Sequence, residues 1–122
     1  MTVIYRAIFA ATACAFTLTA CGCKSYWIDA DVQNQTGQKI HELEVDYPTA
    51  SFGTNALAPG DSMHYRFQIR GSGPVKVEFF TEDGKTSRAQ GLTLVEHEQG
   101  QLIIRLLPNG KVEFAPKLQP NS

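Results

Sequence analysis

Two stretches of the sequence place carboxylates at every second residue, which puts them on one side of an extended chain. DAD contributes Asp29 and Asp31, and ELEVD contributes Glu42, Glu44 and Asp46. Paired carboxylates can serve as a general acid and base or bind a hard cation. No calcium-loop spacing accompanies them, and they alternate with apolar residues. The pattern therefore favours the solvated side of a strand.

The three histidines, His41, His64 and His97, include no pair at the close spacing of a metal-ligand motif. His41 shares the apolar side of Leu43, so we expect it at the margin of the core. GDS and GSG lack the strand-to-helix elbow that presents a catalytic serine. We therefore expect no catalytic residue, no metal and no cofactor. The alternative is a hydrolase or metal-binding protein whose site is assembled from scattered histidines and carboxylates.

The cysteines, Cys14, Cys21 and Cys23, are too few and too closely spaced for a metal site or a disulfide framework. The residues that precede Cys21 and Cys23 suggest a different role for these cysteines. Residues 7–20 are apolar or small throughout and follow Arg6. A cation followed by an apolar run of this length is typical of a secretory signal peptide, and the run is too short to span a bilayer as a mature helix.

Leu18-Thr19-Ala20-Cys21 resembles the lipobox of bacterial lipoproteins. The resemblance implies that a diacylglycerol is attached to the Cys21 thiol and that cleavage leaves Cys21 as the first mature residue. Several acyl chains, at about 0.8 kcal/mol per buried methylene, would then anchor the protein to a membrane without spanning it. Lipoproteins with aspartate after this cysteine tend to stay in the inner membrane. Because Gly22 stands there, we expect the outer membrane in a diderm host, facing periplasm or surface.

The predicted organisation is a signal peptide at residues 1–20, a lipidated tether at 21–25, one domain at 26–115 and a loose tail at 116–122. The tail is assigned because APKLQPNS contains two prolines and few apolar residues. The chain has a net charge of −1 and no basic patch, so nucleic acid is not an expected partner. The expected partners are the membrane, through Cys21, and an envelope protein.

The sequence of the domain predicts strands, because apolar residues recur at every second position. In MHYRFQIR, for example, Met63, Tyr65, Phe67 and Ile69 share one side. The same alternation marks ELEVDY, VKVEFF and QLIIRLL, and no segment keeps a helical period. Trp27 begins the pattern, so we expect it in the core of the first strand rather than beside Tyr26 at a membrane interface.

Turn residues separate these strands. Asn109-Gly110 suits a tight hairpin between LIIRLL and KVEF, and Asp83-Gly84 suits another after VKVEFFT. Seven or eight short strands predict an all-β antiparallel sandwich, immunoglobulin-like or related, with a small β-barrel as the alternative.

In style the mature chain resembles small β-sandwich lipoproteins of bacteria, through stretches such as NQTGQKIHELEVDY and ALAPGDS. The expected function is a non-enzymatic binding or structural module of the cell envelope. Exposed strand edges and the loop expected at residues 49–60 are the predicted contact surfaces.

Overall fold

The computed structural model describes residues 26–119, which form eight strands and one short 3-10 turn. The strands are β1 (Ile28–Asn34), β2 (Ile40–Tyr47), β3 (Ala50–Leu57), β4 (Ser62–Phe67), β5 (Gly73–Thr81), β6 (Thr86–Leu94), β7 (Gln99–Leu106) and β8 (Val112–Gln119). The 3-10 turn spans Pro108–Gly110, between β7 and β8. Within the described part of the chain, no helix has the length and apolar character needed to cross a membrane.

The strands form two four-stranded sheets packed face to face. Sheet A has the order β4-β1-β7-β8, and sheet B has the order β3-β2-β5-β6. The sheets do not close into a barrel, so the predicted all-β sandwich is confirmed. Neighbouring strands run antiparallel except β1 and β7, where Ile28 lies opposite Gly100 and Asn34 opposite Leu106 in a parallel register. The residue pattern does not reveal this parallel pair.

The core consists of the inward-facing residues of both sheets, as the alternation predicts. In β1 the residues Ile28, Ala30 and Val32 are fully buried, while the aspartates between them face outward. Phe79 of β5 is the largest of the fully buried side chains. Burying such a side chain stabilises the fold by about 1.5–3 kcal/mol, so the alternate apolar positions supply the main driving force for packing the sheets.

A bulge in β2 interrupts the alternation. Its pairing with β5 shifts register between His41 and Glu44, and Glu42 has a φ of 49°. Ile40 and Leu43 are therefore both buried although they are three residues apart. His41 consequently lies on the outer face of sheet B, and its expected place at the margin of the core is wrong.

The two predicted hairpins are confirmed. The Leu107 amide donates to the Lys111 carbonyl at 2.7 Å, and the Thr81 amide donates to the Lys85 carbonyl at 3.0 Å. Asn109 and Gly110 have φ values of 67° and 75°, which asparagine and glycine adopt more readily than other residues.

Two predicted boundaries are wrong. The chain is not loose from residue 116, because β8 continues to Gln119 with Leu118 opposite Gly100 and packed against the core. Pro116 is compatible with this strand because β8 lies at the edge of sheet A, where its missing N–H breaks no ladder. Likewise residues 49–60 are not a loop but mainly β3, an edge strand of sheet B. Residues 120–122 lie outside the described part.

The strand directions define two ends of the sandwich. At the basal end β1 and β7 begin and β4 and β8 finish. The basal end carries Tyr26, Trp27 and the connections at residues 48–49, 68–72 and 95–98. The apical end is opposite and carries the connections at residues 35–39, 58–61, 82–85 and 107–111.

Candidate functional site

The predicted lipidation residues lie outside the described part of the chain. These are Cys21, its preceding motif residues Leu18, Thr19 and Ala20, and the neighbouring Cys23. Their predicted roles therefore stay predictions.

The two groups of carboxylates lie on opposite outer faces of the sandwich. In sheet A, Asp29 Oδ1 is 3.4 Å from Arg66 Nε and 3.6 Å from His64 Nε2. In sheet B, Glu44 lies opposite Glu78, whose carboxylate is paired with Arg88. The core separates the two groups, so they do not share a site. Each belongs to a solvent-facing sheet surface.

The three histidines also lie apart. His41 Nε2 is 3.3 Å from Glu82 Oε2 on sheet B, and His64 accompanies Asp29 on sheet A. His97 lies in the basal connection at residues 95–98, where its ring stacks on Tyr26 with centroids 4.5 Å apart. Between residues 26 and 119, no three His, Cys, Asp or Glu residues are grouped so that they could hold a metal ion.

Trp27 is not a core residue. It precedes β1, and 36% of its surface is exposed. The Arg66 guanidinium lies over its ring, 5.1 Å from the centroid, a distance at which a cation is attracted to the aromatic face. The expectation that Trp27 fills the core is wrong, because the first inward-facing residue is Ile28.

The apical end contains a polar cleft that the sequence did not predict. Its volume is about 340 Å³, and three connections line it. The β1–β2 connection contributes Thr36 and Gln38. The β5–β6 hairpin contributes Thr81, Asp83, Lys85, Thr86 and Ser87, and the β7–β8 turn contributes residues 107–110. We call this site the apical cleft.

Buried hydrogen bonds around Asn34 shape the first wall of the apical cleft. Asn34 is fully buried, and its side-chain amide donates to the Gln38 carbonyl at 2.7 Å and the Leu57 carbonyl at 2.9 Å. Its Oδ1 accepts from the Thr36 amide at 3.0 Å and from the Thr36 hydroxyl at 2.7 Å. All the hydrogen-bonding capacity of the side chain is thus used to fix the chain that lines the cleft.

The second wall is the β5–β6 hairpin, which Asp83 organises. The Thr81 hydroxyl donates to Asp83 Oδ1, and the Lys85 amide donates to the same oxygen at 3.2 Å. The hydrogen bonds from Thr81 and Lys85 lower the pKa of the Asp83 carboxyl, because they stabilise its charged form. The third wall, at Gly110, approaches the second so closely that a Cβ there would lie 2.7 Å from Ser87 Oγ.

The groups in the apical cleft suit reversible binding of a polar ligand. Hydroxyls, a carboxylate, an amide and the Lys85 ammonium can donate and accept hydrogen bonds. No histidine or cysteine lines the cleft within residues 26–119. The sequence signalled each wall as a turn, through NQTGQ, EDGK and PNGK. It gave no sign that the three turns meet, because their convergence depends on how the sheets are ordered.

No family model and no curated protein matches the chain. Among solved structures, the chain is similar to the NMR structure of a protein from Eubacterium rectale, with a TM-score of 0.56 and 17% sequence identity. The match covers 80% of this chain and 95% of that chain. At this identity the likeness shows a shared fold alone.

Proposed function

We propose that this protein is a bacterial lipoprotein, acylated at Cys21, whose β-sandwich is a non-enzymatic binding module of the cell envelope. The signal-like residues 7–20 and the motif Leu18-Thr19-Ala20-Cys21 support the anchor. The sandwich would then begin five residues after the lipid, with the apical cleft as its binding site.

The observation that carries this proposal is the separation of the two ends. The chain enters β1 at the basal end, seven residues after Cys21 in the sequence, whereas the three turns that line the apical cleft lie at the other end. A protein anchored through its N-terminus would hold its basal end near the lipid. Its cleft would face away from the membrane, toward partners in the envelope.

Fatty-acid labelling tests the anchor, and the chain supplies its own controls. Bacteria expressing wild type, Cys21→Ser, Cys14→Ser or Cys23→Ser are fed an alkyne-bearing fatty acid, and the N-terminus of each protein is identified by mass spectrometry. We expect Cys21→Ser alone to lose the label and to retain residues 1–20. A labelled Cys21→Ser protein, or a wild-type mature chain that begins at another residue, would contradict the anchor.

Sorting can be tested in a diderm host by changing the residue after Cys21. We propose that wild type, with Gly22, resides in the outer membrane and that Gly22→Asp shifts it to the inner membrane. Density-gradient fractions of the two proteins make the comparison. Wild type in the inner-membrane fractions would refute this localisation.

Site-specific photo-crosslinking in cells tests the binding role. A photoreactive amino acid at Lys85, in the apical cleft, is compared with one at Gln90. Gln90 is exposed in β6 and faces outward from sheet B. We expect one specific envelope component to be captured from position 85 and not from position 90. Equal capture from both positions would contradict a binding role for the cleft.

Hydrolytic turnover that is lost on changing His41, His64 or His97 to Ala would instead establish the enzymatic alternative.

A further inference from the structure

Exposed apolar side chains are concentrated at the basal end. Among residues 26–119, the large hydrophobic side chains that are exposed are Trp27, Tyr65 and Val95, and two of these three are basal. Val95, in the connection at residues 95–98, is 53% exposed. Tyr26, at the same end, is half-buried and stacks on His97. Tryptophan and tyrosine suit the boundary between water and lipid, because each has an apolar body and a polar tip.

Charged side chains of both signs lie near these residues. Arg66 lies over the Trp27 ring, and Arg70 is exposed in the connection at residues 68–72. Three carboxylates lie nearby. Asp29 Oδ1 is 3.4 Å from Arg66 Nε. Glu98 Oε1 accepts the Val95 amide at 2.6 Å, and Glu96 lies 3.6 Å from His97 Nε2. Arg66 is therefore paired with a carboxylate, whereas Arg70 is exposed and can approach an anionic headgroup.

The length of chain before the domain limits where the basal end can be. Four residues separate Cys21 from Tyr26. At roughly 3.3–3.6 Å per residue, even a fully extended segment reaches no more than about 20 Å. An acylated Cys21 would therefore keep the Trp27 Cα within about 22 Å of the Cys21 Cα, and this step rests on the proposed function.

We infer that the basal end docks on the phospholipid surface, with the Trp27 indole and the Val95 side chain at headgroup level. Contact there removes apolar surface of both residues from water. It also orients the sandwich, because sheets A and B then stand upright on the membrane. The apical cleft is thereby presented to the envelope at a fixed height.

Trp27 is the only tryptophan of the chain, so its fluorescence reports on the basal end alone. Full-length protein, processed by its host, is purified and reconstituted into vesicles of phosphatidylethanolamine and phosphatidylglycerol with nitroxide-labelled headgroups. The matched control is Trp27→Phe combined with Lys111→Trp, which moves the indole to an exposed apical position of extended backbone. We expect the nitroxide to quench Trp27 several-fold more than the apical indole. Aqueous iodide should show the opposite order.

Acylation of the same preparation is read separately by mass spectrometry, which distinguishes the two possible failures. An acylated protein whose Trp27 is quenched no more than the apical indole would overturn docking and leave the lipoprotein proposal standing. A preparation without acyl chains would refute the lipoprotein proposal and, with it, the tethered docking. If the variant with Trp at 111 fails to fold, Thr86→Trp at the apical start of β6 replaces it.

Discussion

Gly91 of β6 lies against the ring of Phe114 of β8 and leaves no room for a side chain between them. A Cβ at position 91 would lie 2.5 Å from Phe114 Cε2. These strands are end strands of different sheets and are not paired by hydrogen bonds. The contact therefore joins the two sheets along one side of the sandwich.

Gly91→Ala should lower the free energy of unfolding by about 1–3 kcal/mol, because the added methyl group overpacks this contact. Phe114→Leu in the same chain should restore part of the loss, and a double-mutant cycle in urea measures the coupling. Gln90→Ala, at an exposed neighbouring position, serves as the control. Strictly additive effects of the two substitutions would show that no such contact exists.

Glu42→Gly tests the bulge in β2. Glu42 has a φ of 49°, a conformation that costs a non-glycine residue about 1 kcal/mol or more. Glycine removes this strain, but its greater conformational freedom in the unfolded chain lowers the free energy of unfolding by about 0.5–1 kcal/mol. We expect stability equal to wild type or slightly higher. Glu44→Gly, in the regular part of the strand, should lose about 0.5–1 kcal/mol, and equal losses at both positions would argue against the bulge.

The sequence predicts the regular strands well because their burial alternates without interruption. Val75, Val77 and Phe79 in β5 follow this rule and are all buried. The rule fails at the bulge in β2, because one extra residue changes which side chains face the core, as at His41. The end of β8 differs from the expectation for another reason. Pro116 reads as a strand breaker unless one knows that β8 is an edge strand.

The site was less predictable than the fold. Turn residues identified each connection, but the apical cleft forms only because the order of strands brings residues 36–38, 81–87 and 107–110 together. The pairing of β1 with β7, which fixes part of that order, is parallel and joins residues far apart in the chain. Local patterns carry no information on such a pairing. The predicted anchor, in contrast, depends on a short contiguous motif and needs no tertiary structure.

Leu118→Ala tests the extension of β8 beyond residue 115. The Leu118 side chain is half-buried and packs against the core, so its loss should reduce stability by about 1–2 kcal/mol. Lys117→Ala, at the exposed neighbouring position, should change stability by no more than about 0.5 kcal/mol. Urea unfolding compares the two. If both variants match wild type, the terminal part of β8 contributes nothing to the fold.

Asp83 should make the β5–β6 hairpin sensitive to acid. Its pKa is lowered from 3.8. The hydrogen bond from the Thr81 hydroxyl is the largest cause, and the hydrogen bond from the Lys85 amide is the second. A lowered pKa in the folded state means that the ionised carboxylate stabilises the protein above the unfolded-state pKa. That contribution is lost as the pH falls through the folded-state pKa.

Wild type should therefore exceed Asp83→Asn in stability at neutral pH, and the difference should shrink below about pH 4. Thr81→Val removes the hydroxyl donor, so it should move the pKa of Asp83 back toward 3.8. Carboxyl chemical shifts followed by NMR measure both effects. A Thr81→Val protein with an unchanged Asp83 titration would show that this hydrogen bond does not set the pKa.

Substitutions at Asn34 test the hydrogen bonds that hold the first wall of the apical cleft. The two amide hydrogens of Asn34 point at two carbonyl oxygens, those of Gln38 and Leu57. Asn34→Ala leaves these groups unpaired, at about 1–3 kcal/mol for each that stays buried without a partner.

Asn34→Asp has nearly the same shape but faces both carbonyls with a charged acceptor, so at pH 7 it should be less stable than Asn34→Ala. Burial and the facing carbonyls should raise the pKa of the introduced carboxyl in the folded state. Its protonated form can donate one hydrogen bond, and the folded state then binds more protons than the unfolded state. Asn34→Asp should therefore regain stability relative to Asn34→Ala as the pH falls through that raised pKa.

Thr36→Ser keeps the hydroxyl that donates to Asn34 Oδ1 and should stay close to wild type at every pH. Urea midpoints of the four proteins across the acid range make the comparison. If Asn34→Asp and Asn34→Ala run parallel at all pH values, the two carbonyls do not face residue 34. The wall of the apical cleft formed by Thr36 and Gln38 must then be held by other contacts.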